Sequence, residues 1–232
     1  MLKQIFNGLA GFALPNSCLC CESILEGGGE FICADCHRLL TKFNDTHPWK
    51  NENIRDGIID NSSSLYWFVE DTPIQTMLHA LKYEKMKSIG TLFGKEIGES
   101  ILKTNDTRFD YVIPVPLHRA KERERTYNQS TYICNGISKV TEAEVLDKCL
   151  KRTRFTPSQT KLDKQQRKEN MDGAFGIRKS YADKVKGKNI IIADDVITTG
   201  ATILECARTL KSAGCSKIMI CSIAYARLEN EL

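Results

Sequence analysis

Apolar residues along this chain follow two spacings that take turns from one end to the other. Short apolar runs at Ser64 to Val69, Phe109 to Pro116, Glu144 to Leu150 and Asn189 to Ala193 each predict a strand. The last, bounded upstream by Gly187, reads as a buried strand of a parallel sheet. The second spacing is helical. Ile74, Met77, Leu78 and Leu81 share one face after a Thr72-Pro73-x-Gln75 start, which has a capping-box pattern with proline at the first helical position. Leu92, Phe93, Ile97, Ile101 and Leu102 are expected to face inward from a helix capped by Ser88, and Leu204, Ala207 and Leu210 mark a third. Asp172-Gly173-Ala174-Phe175 returns the chain to a strand. Strands alternating with helices predict an α/β domain built on an open, mainly parallel sheet.

Two stretches lie outside that rhythm. Leu2, Ile5, Phe6 and Leu9 space an amphipathic helix over Met1 to Leu14, interrupted by Gln4 and Asn7 so that no continuous apolar export segment forms. Residues 44 to 64 are polar and turn-rich. The boundaries expected are therefore 1–45 for a small N-terminal unit, 46–63 for a linker and 64–232 for the main domain. No apolar stretch approaches the roughly 20 residues that span a bilayer, so membrane insertion is not expected and a cytoplasmic location is.

Charge adds one feature. The net charge is only +4, yet residues 148 to 168 hold eight Lys or Arg against one acid, a local excess of +7. Such a block is a solvated face or a receiver of phosphates or nucleic acid. The part from Lys151 to Met171 has no sustained apolar face, and loops of that length in compact domains serve as lids or stay disordered.

Ten cysteines in a chain without an export signal do not argue for disulfides. Cys18-x-x-Cys21 and Cys33-x-x-Cys36, with eleven residues between the pairs, form a four-thiolate set. Each pair matches the tight knuckle that aims two sulfurs at one tetrahedral ion, with Gly27-Gly28-Gly29 as the turn between them, and Zn2+ is the metal expected. Cys20 and His37 stand close enough in sequence to replace a ligand, and redox chemistry by one pair is the competing reading. Metal binding would contribute much of this unit's folding free energy, on the order of 10 kcal/mol.

The strongest chemical signal is at residues 189 to 205. After the strand come Asp194 and Asp195, then Thr198-Thr199-Gly200-Ala201-Thr202 opening a helix. Small and hydroxylated residues at a helix start direct backbone N–H groups at one spot, and the helix dipole makes that spot electropositive. Two carboxylates beside it are poor phosphate ligands and good acceptors for neighbouring sugar hydroxyls, so the pattern fits a ribose 5-phosphate. A second basic stretch comes after the Pro114-Val115-Pro116 strand end: His118, Arg119, Lys121, Arg123 and Arg125. Open α/β sheets bind ligands at such strand ends.

The run Ile191 to Thr202 resembles the phosphoribosyl pyrophosphate (PRPP) motif of the type I phosphoribosyltransferases. The four-cysteine knuckle, Leu81-Lys82-Tyr83, the proline strand end, Arg119 to Gln129, and Arg154 with Gln159, Leu162, Arg167, Asn170 and Phe175 together resemble the ComF (competence protein F) family over almost the whole chain. That resemblance implies a type I phosphoribosyltransferase fold with a small N-terminal zinc-binding domain. It also implies a PRPP or ribose 5-phosphate-type ligand with Mg2+, held by Asp194 and Asp195 at the sugar hydroxyls, Thr198 to Thr202 at the 5-phosphate, and Arg119, Lys82 and Arg154 at pyrophosphate. The basic segment would close over the site. The implied role lies in DNA uptake, either as phosphoribosyl transfer to an unidentified acceptor or as non-catalytic PRPP sensing with single-stranded DNA, alongside a protein of the uptake machinery. One departure stands out: nothing after Arg227 resembles the hood that covers the base in salvage enzymes.

Overall fold

The computed structural model describes residues 17–25, 31–104, 106–117, 119–153 and 173–227. In chain order its elements are α1 (Ala34–Arg38), α2 (Lys50–Arg55), β1 (Asn61–Trp67), α3 (Pro73–Tyr83), α4 (Lys87–Thr104), β2 (Tyr111–Pro114), α5 (Arg119–Arg125), α6 (Gln129–Thr141) and β3 (Glu144–Val145). Next come β4 (Leu150–Arg152), β5 (Phe175–Ile177), a 3-10 turn (Lys179–Tyr181), α7 (Ala182–Val185), β6 (Ile190–Ile197), α8 (Ala201–Ser212) and β7 (Ile218–Tyr225). The amphipathic segment 1–14, the Gly27 to Gly29 turn, His118, Arg154 with nearly all of the basic segment, and the chain after Arg227 lie outside the described residues, as does the side chain of Arg119. No described helix is long and apolar enough to cross a membrane.

Five strands form one parallel sheet in the order β1-β7-β6-β2-β3, as the strand spacing predicts. Side-chain alternation on β6 divides the core in two. Ile191 and Ala193 join a cluster with α3, α4 and α6, whereas Ile190 and Ile192 join another with α7 and α8. β2 leads through α5 and α6 to β3 on one side, and β6 leads through α8 to β7 on the other. Parallel crossovers keep one hand, so the reversal puts α6 and α8 on opposite faces. The crevice of the sheet falls where the strand order reverses, between β2 and β6. β2 ends at Pro114 opposite Ala193, which leaves Asp194 as the first residue of β6 without a neighbour on that side.

Glycines let α4 and α6 approach closely. A Cβ on Gly94 would be driven into the Ile133 carbonyl, and one on Gly136 into that of Thr91. Gly90 and Gly98, one turn either side of Gly94, face Tyr132 and Val140.

Several elements differ from the sequence expectation, each for a local reason. The first strand starts at Asn61 rather than Ser64, because its polar residues are satisfied inside: Ser62 and Ser64 hydroxyls lie 2.9 Å from the two ring nitrogens of buried His47. Residues 46–63, read as a linker, thus hold α2, buried His47 and Asn53, and the start of β1. The predicted strand from Glu144 to Leu150 splits into β3, paired with β2, and β4, which pairs antiparallel with β5 away from the main sheet. Leu102 is 59% exposed, since it comes directly after Ile101 and adjacent helix positions point about 100° apart. Thr72 precedes α3 as expected but makes no side-chain cap; Gln75 Oε1 accepts from Asp71 N instead. The second helix begins at Lys87, one residue before Ser88.

The N-terminal unit is continuous with the domain. Thr41 to Phe43 lie antiparallel along the free edge of β1, with Phe43 N–H donating to Leu65 O and Trp67 N–H to Thr41 O. Cys18, Leu25, Ile32, Cys36 and Leu40 belong to the same apolar cluster as α3 and α4.

Gly94→Ala is expected to lower stability by about 1–3 kcal/mol through overpacking against α6. The readout is a lower urea midpoint at unchanged slope; a wild-type midpoint would refute close helix contact as a determinant.

Candidate functional site

β6 carries its two acids past the end of β2, and the pleat separates them. Asp194 lines a cavity of about 130 Å³ whose other walls are Val196, Ile197, Thr198, Thr199, Gly200, Ala201, Thr202 and Ile203. Asp195 leaves on the opposite face, toward α3, where Lys82 Nζ lies 2.7 Å from its Oδ2. Sequence proximity therefore places both acids at one strand end and only one of them in the cavity with the threonine turn.

The turn itself depends on Gly200. Its φ of +76° lies in the left-handed region, and a Cβ there would fall 2.6 Å from the indole of Trp49. Trp49 stacks on His47 at 4.7 Å, and its Nε1 is buried without an acceptor among the described residues. The Ala201 N–H reaches the Thr199 hydroxyl at 3.4 Å, and no side chain caps α8. Ala201, Thr202 and Ile203, the first residues of α8, line the cavity, which is where an anion site at a helix start would lie.

The junction of α5 and α6 holds the acids in place. Asn128 caps α6 by accepting from Ser130 N at 3.1 Å, while its Nδ2 donates to Val115 O at 2.9 Å just beyond β2. That cap presents the Ser130 hydroxyl to Asp194 Oδ1, 3.0 Å away, which also accepts from Asp195 N at 2.9 Å. Tyr127 donates its hydroxyl to the Leu81 carbonyl, locking the junction onto the end of α3 beside Lys82. Thr126 between them has φ of +65°, a conformation costly for a β-branched residue and of the kind found at functional sites. Arg125 is 8% exposed, and its guanidinium donates to Gln129 Oε1 at 3.1 Å and to Tyr83 Oη at 3.2 Å.

The two acids titrate as a coupled pair with opposite biases. Burial, then the neighbouring charge of Asp195, pushes the Asp194 carboxyl up to about 7 against the stabilising N–H and Ser130 bonds. Burial also opposes the charge on Asp195, but Lys82 beside it holds that carboxyl below its ordinary range.

Of the residues expected at the site, Asp194 and Thr198 to Thr202 share one cavity, and Asp195 and Lys82 form an ion pair on the other face. Arg119 begins α5, and Arg154 lies outside the described residues. In the sequence Arg125 is one cation of the basic stretch after β2 with nothing to mark it as buried, and Ser130 carries no sign of its own. The signal for Ser130 was present in Asn128, a favoured cap residue that fixes the start of its helix; a buried arginine has no such local mark.

The second site is the knuckle. The sulfurs of Cys18, Cys21, Cys33 and Cys36 all lie within 4.8 Å of one another, with Cys21 and Cys33 Sγ 3.6 Å apart. A Zn–S distance near 2.3 Å gives a tetrahedral edge of about 3.8 Å, so the set fits zinc. Backbone N–H groups of Cys20 and Cys33 point to Cys18 Sγ, and that of Cys36 to Cys33 Sγ. Burial opposes a charged Cys18, yet these donors outweigh it and draw the thiol down to about 6. Cys20 and His37 are outside the cluster, and burial pushes the Cys20 thiol up to about 11.

A profile of the phosphoribosyl transferase domain matches residues 143–231, which contain the acid pair, the turn and β6, the strand that leads into them. The parallel sheet flanked by helices is accordingly a type I phosphoribosyltransferase fold. The chain is similar to DNA utilization protein YhgH of Shigella flexneri, 28% identical over 152 residues covering 64% of this chain and 65% of that one. It is similar to competence protein F of Haemophilus influenzae, 30% identical over 115 residues and 50% of each chain. Competence protein ComFC of Bacillus subtilis is 26% identical over 203 residues, 85% of this chain and 78% of that one. Together with the four-cysteine cluster, these similarities support a ComF-type family. The chain spans 65% of the length of the YhgH relative. A hypoxanthine phosphoribosyltransferase from Staphylococcus aureus has 12% identity and a TM-score of 0.38 over 62% of this chain and 76% of that one, too loose a likeness to add to the fold.

Gly200→Ala is expected to destabilise the protein by about 1–3 kcal/mol, from left-handed strain and collision with Trp49. Tryptophan emission should shift with it; an unchanged melting curve and spectrum would mean that the indole does not support the turn.

Proposed function

We propose that the protein binds PRPP, or a closely related ribose 5-phosphate ligand, in the cavity between Asp194 and the Thr198–Thr202 turn, and serves DNA uptake. The observation that carries this reading is the shared cavity: one carboxylate and the open N-terminus of α8 enclose a volume of about 130 Å³. The turn would hold the 5-phosphate through backbone N–H groups and threonine hydroxyls. Asp194, fixed by Ser130, would accept the ribose hydroxyls. Asp195 would contribute on its own face, together with Lys82, Arg119 and Arg154 at the pyrophosphate.

Magnesium fits this donor set, since it keeps several waters and needs few protein ligands, and Asp194 is the carboxylate that lines the cavity. Bound with the ligand's oxyanions, it would neutralise charge on the leaving group. The reaction class is pentosyl transfer: the bond from the anomeric carbon to pyrophosphate breaks as an acceptor lone pair forms the new one. Asp194 would steady the positive charge that develops on the sugar ring. The role in DNA uptake rests on the names of the relatives, and the acceptor is to be sought among bases and amines by pyrophosphate release.

Calorimetry with PRPP and Mg2+ tests the reading. The hydroxyl-accepting form of Asp194 is the carboxylate, and its pKa is raised to about 7. Affinity should therefore increase as pH rises from about 6 to 8, and Asp194→Asn should weaken binding at least about tenfold and flatten the profile. Equal affinity in that variant, or no binding by wild type, would sink the assignment.

We also propose that the four thiolates hold structural zinc. Purified protein should carry one equivalent by metal analysis, and Cys33→Ser should lose it with a lower melting temperature. Metal-free protein with unaltered melting would contradict this.

A further inference from the structure

Holding a sugar takes acceptors for its hydroxyls, and the cavity supplies fewer than two adjacent acids suggest. Among its lining residues Asp194 carries the sole carboxylate, and the other polar side chains are Thr198, Thr199 and Thr202. Asp195 has both oxygens committed on the opposite face, Oδ1 to Val196 N at 2.8 Å and Oδ2 to Lys82 Nζ at 2.7 Å. Asp194 is itself half committed. The Ser130 hydroxyl at 3.0 Å and Asp195 N at 2.9 Å both donate to its Oδ1, so Oδ2 is left as the one oxygen of this carboxylate without a donor among the described residues.

A carboxylate with two open oxygens grips a cis-diol by taking one hydroxyl on each. Asp194 is barred from that grip while Ser130 and the Asp195 peptide fill Oδ1. Two hydroxyls crowded onto Oδ2 would share its charge, so the second adds little once it can bond to water instead. A site rejects an analogue lacking a hydroxyl strongly when its own polar group is then left unpaired. Here one open oxygen needs one hydroxyl, and removing the neighbour orphans nothing. The Asn128 cap fixes this state, because its bonds to Ser130 N at 3.1 Å and to Val115 O at 2.9 Å set Ser130 at the start of α6.

We propose that the cavity takes 2-deoxyribose 5-phosphate, the sugar phosphate of DNA, as readily as ribose 5-phosphate, because Ser130 leaves Asp194 a single oxygen with which to read the sugar. This rests on the ribose 5-phosphate reading above and widens the class of sugar it admits. Ser130 is thus a specificity-determining residue: by occupying Oδ1 it removes the second acceptor that would tell a diol from a lone hydroxyl. A sugar with neither hydroxyl leaves Oδ2 unpaired and is the one that the site rejects.

Calorimetry of the full chain with ribose 5-phosphate, 2-deoxyribose 5-phosphate and 2,3-dideoxyribose 5-phosphate tests this, without Mg2+ so that protein atoms alone read the hydroxyls. The first two affinities should agree within about threefold, and the dideoxy sugar should bind at least about fivefold more weakly than either. Ser130→Ala opens Oδ1 and should raise the preference for ribose over 2-deoxyribose to at least about fivefold, whereas a merely structural role would weaken both alike. Ser130→Cys, of similar shape and a weaker donor, should shift the preference the same way if the alanine variant fails to fold. A larger ribose preference in wild type, or a preference that does not move in a folded Ser130 variant, would overturn the proposal. Ribose 5-phosphate bound without its deoxy analogue would defeat this inference alone; neither sugar bound would defeat the ribose 5-phosphate reading with it.

Discussion

Two carboxylates on consecutive residues of an interior strand set the electrostatic problem around which this molecule is arranged. Asp194 and Asp195 are embedded in β6 with β7 on one side and the end of β2 on the other, where water is too scarce to screen them. The pleat turns them to opposite faces, and each face answers differently. Asp195 receives a full positive charge from Lys82. Asp194 receives only a hydroxyl and a peptide N–H, so burial and the charge of Asp195 raise its carboxyl to about 7 and leave its ionisation divided near neutral pH.

Those answers dictate much of the architecture. Lys82 must end α3 at the strand terminus, and Ser130 must start α6 there. The junction from Arg125 to Ser130 meets both demands by bonding to Leu81, Tyr83 and Val115. The glycine contacts between α4 and α6 lay this layer close on the sheet, and Trp49 supports the threonine turn from the other face. A segment between the knuckle and β1 therefore reaches the crevice at the strand ends.

What could be read in the linear chain was whatever depends on near neighbours. The β-branched run of β6, the spacing of Leu204, Ala207 and Leu210, the four thiols and the small residues around Gly200 each carry their local consequence in their own chemistry. Arg125 and the Lys82–Asp195 pair are different, since both arise only when α3 is folded against the α5–α6 junction. The start of β1 misled for a related reason: Ser62 and Ser64 look solvent-loving until His47, a loop and a helix earlier in the chain, supplies their partners. The division between β3 and β4 turns on which strand each finds to pair with, a matter of topology.

The edge of β1 carries a different lesson. Its outer ladder is closed by Thr41 to Phe43, a few residues past a cluster of four sulfurs of which Cys18 and Cys36 are buried in one apolar layer with α3 and α4. An uncovered parallel edge is a template for joining other chains. The cover is held by backbone bonds and follows directly on the four-thiol unit in the chain, so an oxidant that disorders that unit would loosen the anchorage next to a strand edge able to recruit other chains.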